Sequence, residues 1–251
     1  MDYNSYRRKS SAVSVGKIKI GGDAPIAIQS MTNTDTNNKE ATLNQVLRLC
    51  EAGCEIVRMT APNIEACHTF EYLKSKGIEI PLVADIHFDY KIAIAAADMG
   101  ADKIRINPGN IGSREKVAAV VEACQKNKVP IRIGVNSGSL ESHILEKYQG
   151  VCAEALVESA LYHADMLREL DFHDIVLSVK ASDVNMMIKA NRILAERTSY
   201  PLHLGVTEAG FGNAGLIKSS VGIGTLLSLG IGDTVRVSLT DKPEEEISAA
   251  K

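Results

Sequence analysis

No stretch of this 251-residue chain approaches the roughly 20 unbroken apolar residues that a membrane-spanning helix needs, which argues against an integral membrane protein. The N-terminus, MDYNSYRRKSS, is basic, but no apolar segment follows it, so it does not read as a secretory signal. Positive charge is not in excess. The 28 Lys and Arg against 31 Asp and Glu leave a net charge of −3, which excludes a generally basic nucleic-acid binder but not a local basic site. Cysteine is scarce, odd in number at 5, and shows no repeated Cys-x-x-Cys, which argues for reduced thiols and a cytoplasmic protein. What is present is ordinary globular material, 45% hydrophobic and 24% charged, in a chain long enough to bury a full core.

After a hairpin-like opening (VSVGKIKIGG), short β-branched runs alternate with longer segments of helical apolar spacing. The runs are IAIQSM from Ile26, EIVRMT from Glu55, PLVADI from Pro81 and DKIRIN from Asp102. They continue with PIRIGVN from Pro130, DIVLSVK from Asp174, PLHLGVT from Pro201 and DTVRVSL from Asp233. Eight βα repeats in this length predict an α/β chain folded as a (β/α)8 TIM barrel over residues 26–251, preceded by an N-terminal extension with a hairpin over residues 1–25. A doubly wound sheet is the alternative, but even repeats favour closure, and GIG and GIGD do not form a GxGxxG after a strand. The interval between the fifth and sixth runs is the longest and carries a spare segment, NSGSLESHILEKYQG (136–150), of the kind that often serves function. The Glu244–Glu246 run reads as acidic residues in the first turn of an eighth helix, one that has barely begun when the sequence stops; this suggests a chain cut from something longer.

Alternation within each run separates two faces. Aliphatic residues such as Ile104 and Ile106, or Ile131, Ile133 and Val135, take the helix side. The other parity then points at the barrel axis: Gln29 and Met31; Arg58 and Thr60; Asp85 and His87; Lys103, Arg105 and Asn107; Arg132, Gly134 and Asn136; Ser178 and Lys180; His203, Gly205 and Thr207; Arg236 and Ser238. A usual barrel interior is filled with Val, Ile and Leu. This one carries six cations (Arg58, Lys103, Arg105, Arg132, Lys180, Arg236) against a single carboxylate, Asp85. Unpaired buried cations would cost several kcal/mol each, so a purely structural ion-pair network does not account for them. Lys103, near the start of its strand, is the one that reads as structural. The others cluster toward the C-terminal mouth, where barrel enzymes keep their sites, and arginine suits bidentate phosphate recognition. Several arginines at one mouth imply a ligand with more than one phosphate, and Gly109, Gly112, Gly138, Gly222 and Gly224 fit a close backbone approach.

Other residues weigh less. Cys50 and Cys54 read as helix-end core, Cys67, Cys124 and Cys152 are isolated, and His68, His143, His163 and His173 read as solvated. His87 and His203 lie on the axis. Glu208, directly after the seventh run, is a mouth carboxylate suited to donate a proton. Lys180, at the end of the sixth run, also fits a Schiff-base aldolase. A diphosphate-binding and dimerisation module without activity of its own is a third reading.

The stretches IQSMTNTDT, EIVRMTAP, PLVADIHFDY, KIRINPGNIG, PIRIGVNSGSLE, SVKASD, LHLGVTEAG and KSSVGIGTLLSLGIGDTVRVSLT resemble the 4-hydroxy-3-methylbut-2-enyl-diphosphate synthase family of the non-mevalonate isoprenoid pathway, from about Ser10 to Thr240. The resemblance implies an oxidoreductase that opens 2-C-methyl-D-erythritol 2,4-cyclodiphosphate with two electrons and loses a hydroxyl as water. The electrons would come through a [4Fe-4S] cluster from ferredoxin or flavodoxin, in a homodimer. It further implies that Arg58, Arg105, Arg132, Asn136, Lys180, Arg236 and Ser238 bind the diphosphate and that Glu208 is catalytic; His203 joins the substrate-binding candidates from its place on the axis. In the family, three cysteines and a glutamate of a separate C-terminal domain hold the cluster. None of the five cysteines here matches them, so no metal ligand is expected in this stretch, which alone would be inactive.

Overall fold

A computed structural model describes residues 6–251; the first five residues of the expected extension lie outside the described ones. The opening hairpin pairs β1 (Val13–Val15) antiparallel with β2 (Ile18–Ile20). Eight parallel strands follow: β3 (Ala27–Met31), β4 (Ile56–Thr60), β5 (Leu82–Asp85), β6 (Lys103–Ile106), β7 (Ile131–Asn136), β8 (Ile175–Lys180), β9 (His203–Leu204) and β10 (Thr234–Val235). They run in the order β8-β7-β6-β5-β4-β3-β10-β9, and a parallel bridge between Leu177 and Leu202 brings the two ends together. The result is the expected TIM barrel. Around it lie α1 (Lys39–Ala52), α2 (Ile64–Ser75), α3 (Tyr90–Asp98), α4 (Pro108–Ile111), α5 (Arg114–Asn127), α6 (Ser142–Tyr148), α7 (Ala153–Arg168), α8 (Val184–Arg197), α9 (Gly212–Ser228) and α10 (Pro243–Ala250).

Two of the eight runs form less regular strand than their sequence suggests. β9 and β10 hold two residues each, yet Arg236 N donates to Leu204 O at 3.0 Å and Thr207 N to Ala181 O at 3.2 Å. The chain therefore stays alongside its neighbours beyond the regular ladder. Helix starts follow capping chemistry: Asn38, Asn63 and Asp183 each accept a backbone N–H from the first turn.

The core is divided in two. The larger part lies between strands and helices and takes the aliphatic parity, including Ile104, Ile131, Ile133, Leu177 and Leu204. The smaller part is inside the barrel at its N-terminal end, where Val13, Val15 and Ile20 of the hairpin pack on Ala27, Ile56, Val83 and Val176. The hairpin is thus a plug. Val15 and Ile20 are fully buried, each worth about 1.5–3 kcal/mol of apolar burial. Its turn requires Gly16, whose φ is +54° and where an added Cβ would sit 2.9 Å from the Asp102 carboxylate. With the bottom sealed by apolar side chains, the polar inward residues can meet solvent only at the other end.

Candidate anion site at the barrel mouth

At that end the inward residues form a cavity of about 200 Å³, open to solvent and lined by Arg58, Asp85, His87, Arg105, Arg132 and Asn136, with Ser178, Lys180, Thr207, Arg236 and Ser238 completing the ring. Seven of the eight residues the sequence points to for substrate binding meet here: Arg58, Arg105, Arg132, Asn136, Lys180, Arg236 and Ser238. The eighth, His203, lies elsewhere. Thr234 pairs with Ala27 on one side and with His203 on the other, so His203 is level with the apolar plug. It is fully buried, and its Nδ1 is 2.7 Å from Thr234 Oγ1. Burial, then the positive charge of Arg132 and Lys180, pushes its pKa well down, so it is a neutral imidazole. Glu208 follows the lining residue Thr207 but is itself exposed on the rim, outside the cavity wall.

Asp85 organises one side of the mouth. Its Oδ1 is 3.1 Å from Arg105 Nη1, and its Oδ2 is 3.6 Å from Arg58 Nε. Burial would raise its pKa, but Arg58, Arg105 and Arg132 overcome that and hold the carboxyl well below the usual range. Arg58 also donates to the Met31 sulfur from Nε at 3.2 Å, and burial lowers its pKa to about 10. Opposite, Glu246 of α10 is 3.0 Å from Arg236 Nη2 and also accepts from Ser30 Oγ and Leu239 N. Glu246 is buried at 2% exposure. The first-turn reading of that acidic run holds, since all three glutamates lie in the first turn of α10, and Glu246 is in addition the buried partner of Arg236. Five cations then face two carboxylates at this mouth, and the excess is positive.

The unpaired members are the informative ones. Arg132 is 1% exposed, and its Nε and Nη2 have no partner among the described residues. Lys180 lines the cavity with its pKa pushed well down by burial and by Arg132, Arg58 and Arg236. Lys103 is fully buried beside Val83, on which the plug packs; its amine also has no partner among the described residues, and its pKa is pushed well down chiefly by burial.

Two glycines inside the strands make this packing possible. A Cβ at Gly134 would lie 2.4 Å from Arg105 Nε, and one at Gly205 would lie 2.6 Å from Lys180 Nζ and 2.9 Å from Arg236 O. Of the glycines first considered for ligand approach, Gly222 instead packs α9 onto the barrel, with Met187 Cε 2.6 Å from its missing Cβ. Gly205→Ala is expected to destabilise the barrel by about 1–3 kcal/mol through overpacking. A denaturant titration reads this directly, and unchanged stability would show that Lys180 moves aside without cost.

Outside the mouth one histidine departs from expectation. His163, read as solvated, is fully buried on α7 and bonded through Nε2 to Glu141 at the start of α6. Burial raises the Glu141 pKa, but the hydrogen bonds from His163, the backbone and Ser159 together outweigh it, and the carboxyl falls from the usual 4.5 to about 2. A depressed carboxylate contributes stability above its unfolded pKa and loses it as pH falls through the folded one. The stability difference between the protein and Glu141→Ala should therefore hold above pH 4.5 and shrink toward pH 2; a difference independent of pH over that window would rule out a bonded Glu141 carboxylate.

The thiols do not assemble. Cys54 and Cys67 are buried with pKas pushed up to about 11, and Cys124 up to about 12, each chiefly by desolvation. Cluster ligation needs thiolates. Among the described residues no three His, Cys, Asp or Glu side chains are placed to hold a metal. The residues present do not fit a [4Fe-4S] cluster.

The chain is thus a TIM-barrel domain plugged at one end, with an excess of arginine and lysine around its C-terminal mouth. Residues 10–251 match the GcpE TIM-barrel domain, and the chain belongs to that family. It is 57% identical over 245 residues to the 4-hydroxy-3-methylbut-2-en-1-yl diphosphate synthase (flavodoxin) of Clostridium tetani, covering 98% of this chain and 70% of that protein. To the enzyme of the same name from Symbiobacterium thermophilum it is 58% identical over 241 residues, covering 96% and 65%. The chain thus spans about two thirds of the length of these relatives. Among solved structures, dihydropteroate synthase from Stenotrophomonas maltophilia (TM-score 0.66, 12% identity, 96% of each chain) shares the fold. So does type I 3-dehydroquinate dehydratase from Clostridium difficile (TM-score 0.68, 15% identity, 96% of each chain). No helix among the described residues is long and apolar enough to cross a membrane.

Proposed function

We propose that this chain is the substrate-binding barrel of an iron–sulfur oxidoreductase that converts 2-C-methyl-D-erythritol 2,4-cyclodiphosphate to 4-hydroxy-3-methylbut-2-enyl diphosphate. The observation that carries this reading is the unbalanced mouth: five cations converge on one cavity against two carboxylates, and a diphosphate supplies the missing negative charge. Arg58, Arg105, Arg132, Lys180 and Arg236 take the phosphoryl oxygens, and Asn136 and Ser238 supply neutral polar contacts at the same wall. Asp85 and Glu246 fix Arg105 and Arg236 in place before the ligand arrives, which lowers the entropy cost of binding. Glu208, on the rim, is the proton donor to the departing hydroxyl.

The remainder of the reading rests on the family. A portion of the relatives' length beyond the barrel holds the [4Fe-4S] cluster, flavodoxin delivers the electrons, and two subunits pair in the cytoplasm so that one subunit's cluster portion meets the other's barrel. Calorimetric titration of this chain with the cyclic diphosphate is expected to show saturable binding that weakens as salt rises; heats indistinguishable from dilution would overturn the reading. A lowered Lys180 pKa would equally serve a Schiff base. Borohydride in the presence of a carbonyl substrate separates the two readings, and no adduct on Lys180 is expected.

A further inference from the structure

The segment between β7 and α7 is the longest interruption of the βα rhythm, and the cavity wall includes only the residue before it, Asn136, the last of β7. The rest is built around an internal contact. A 3-10 turn (Ser137–Ser139) closes on Asn136: Asn136 N donates to Ser139 Oγ at 3.3 Å, and Ser139 Oγ donates to Asn136 O at 3.1 Å. Asn107, at the end of the neighbouring strand β6, donates from Nδ2 to Ser139 O at 3.3 Å and accepts from Gly109 N at 3.1 Å. Two residues past Ser139, Glu141 reaches the buried His163 on α7. Gly109 faces both partners, and a Cβ there would lie 2.9 Å from Glu141 Oε1 and 3.3 Å from His163 Nε2. Two mouth loops and a barrel helix therefore meet at one buried carboxylate–imidazole pair.

Such a pair adds little net stability once its desolvation is counted, and its best-attested use is to fix register. We propose that Glu141 and His163 form a latch that seats the 137–141 turn against the β6–α5 loop and thereby positions Asn136 at the wall of the anion cavity. Both are positioning residues, since neither lines the cavity. The inference rests on the anion-site reading above, and its test separates the two.

Inorganic pyrophosphate is the probe, titrated by calorimetry into this chain. Glu141→Ala is expected to weaken binding by roughly 2- to 30-fold, the range for coupling through a packed network. Gly109→Ala wedges the pair apart without removing a charge and is expected to act in the same direction; it carries the test if Glu141→Ala does not fold. In an Asn136→Ala background both effects should vanish, whereas a general loosening of the barrel would persist there. Full affinity in a folded latch variant, or a loss that survives in the Asn136→Ala background, overturns the latch. Failure of the unaltered chain to bind pyrophosphate overturns the anion-site reading instead. Hydrogen exchange without ligand then decides the latch: faster exchange confined to residues 136–141 in Gly109→Ala supports it, and unchanged exchange overturns it.

Discussion

Replacing Arg132 with methionine should make the empty barrel more stable and the anion site worse. Arg132 is 1% exposed, has two guanidinium nitrogens without partners among the described residues, and has its pKa driven well down by burial and by Arg58 and Arg105. Asp85, the carboxylate that favours its charge, is already bonded to Arg105. A cation buried in that setting opposes folding, and replacing such groups with an apolar side chain of similar volume typically stabilises by about 1–4 kcal/mol. Methionine is unbranched and fills the channel left by the arginine stem. The same change removes charge-assisted contacts to the ligand, each worth about 1.5–3 kcal/mol, so affinity for the cyclic diphosphate should fall roughly ten- to a hundredfold. The two effects have opposite signs, which a structural arginine cannot produce. Thermal melting and calorimetry on the same sample suffice, and a lower Tm with unchanged affinity would return Arg132 to the architecture.

The barrel and most of its mouth could be read in the sequence because a strand has a period of two. Once Ile104 and Ile106, or Ile131, Ile133 and Val135, are assigned to the helix side, the direction of Arg105 and Arg132 follows without any long-range information. Parity fixes the face and says nothing of depth. His203 and Lys103 lie on the axis as parity predicts, but at the level of the apolar plug, below the cavity. Depth depends on the stagger between strands and on the hairpin, which closes the bottom from outside the repeat. Glu246 was missed because it arrives on a helix far along the chain, where three consecutive glutamates look alike until the buried neighbours Pro243 and Ile247 set the phase. His163 had a legible signal. It falls on the stripe of Leu156, Ala160, Ala164 and Leu167, the buried face of α7. A polar residue on such a stripe calls for a partner, and the spare loop supplies it. The glycines divide similarly: Gly134 and Gly205 lie within strand runs at inward positions, where a missing side chain means that something else occupies the space.

Glu208→Gln should leave substrate binding nearly intact and reduce turnover of the full-length enzyme by roughly 10²–10⁴-fold, the usual share of general acid catalysis. Backbone conformation points the same way as the rim position. Glu208 has a φ of +52°, a left-handed conformation that non-glycine residues adopt at a cost of about 1–2 kcal/mol. It directly follows Thr207, whose N–H is tied to Ala181 O and whose side chain lines the cavity. Strain of this kind, held in place by its neighbours, is concentrated at functional sites. Loss of a hydroxyl as water requires a proton, and a carboxyl at the rim is placed to deliver one. Glutamine preserves size, hydrogen bonding and the strained backbone while abolishing proton transfer, so binding measured by calorimetry should barely change as kcat falls. Glu208→Gly is the companion variant: it relieves the left-handed strain and should raise stability by about 1 kcal/mol while losing turnover to the same extent. Near-normal turnover in Glu208→Gln would remove this residue from the chemistry. Weakened binding with normal turnover at saturation would make it a ligand contact, and the proton would then have to come from another residue of the mouth, with His87 beside Asp85 the next to test.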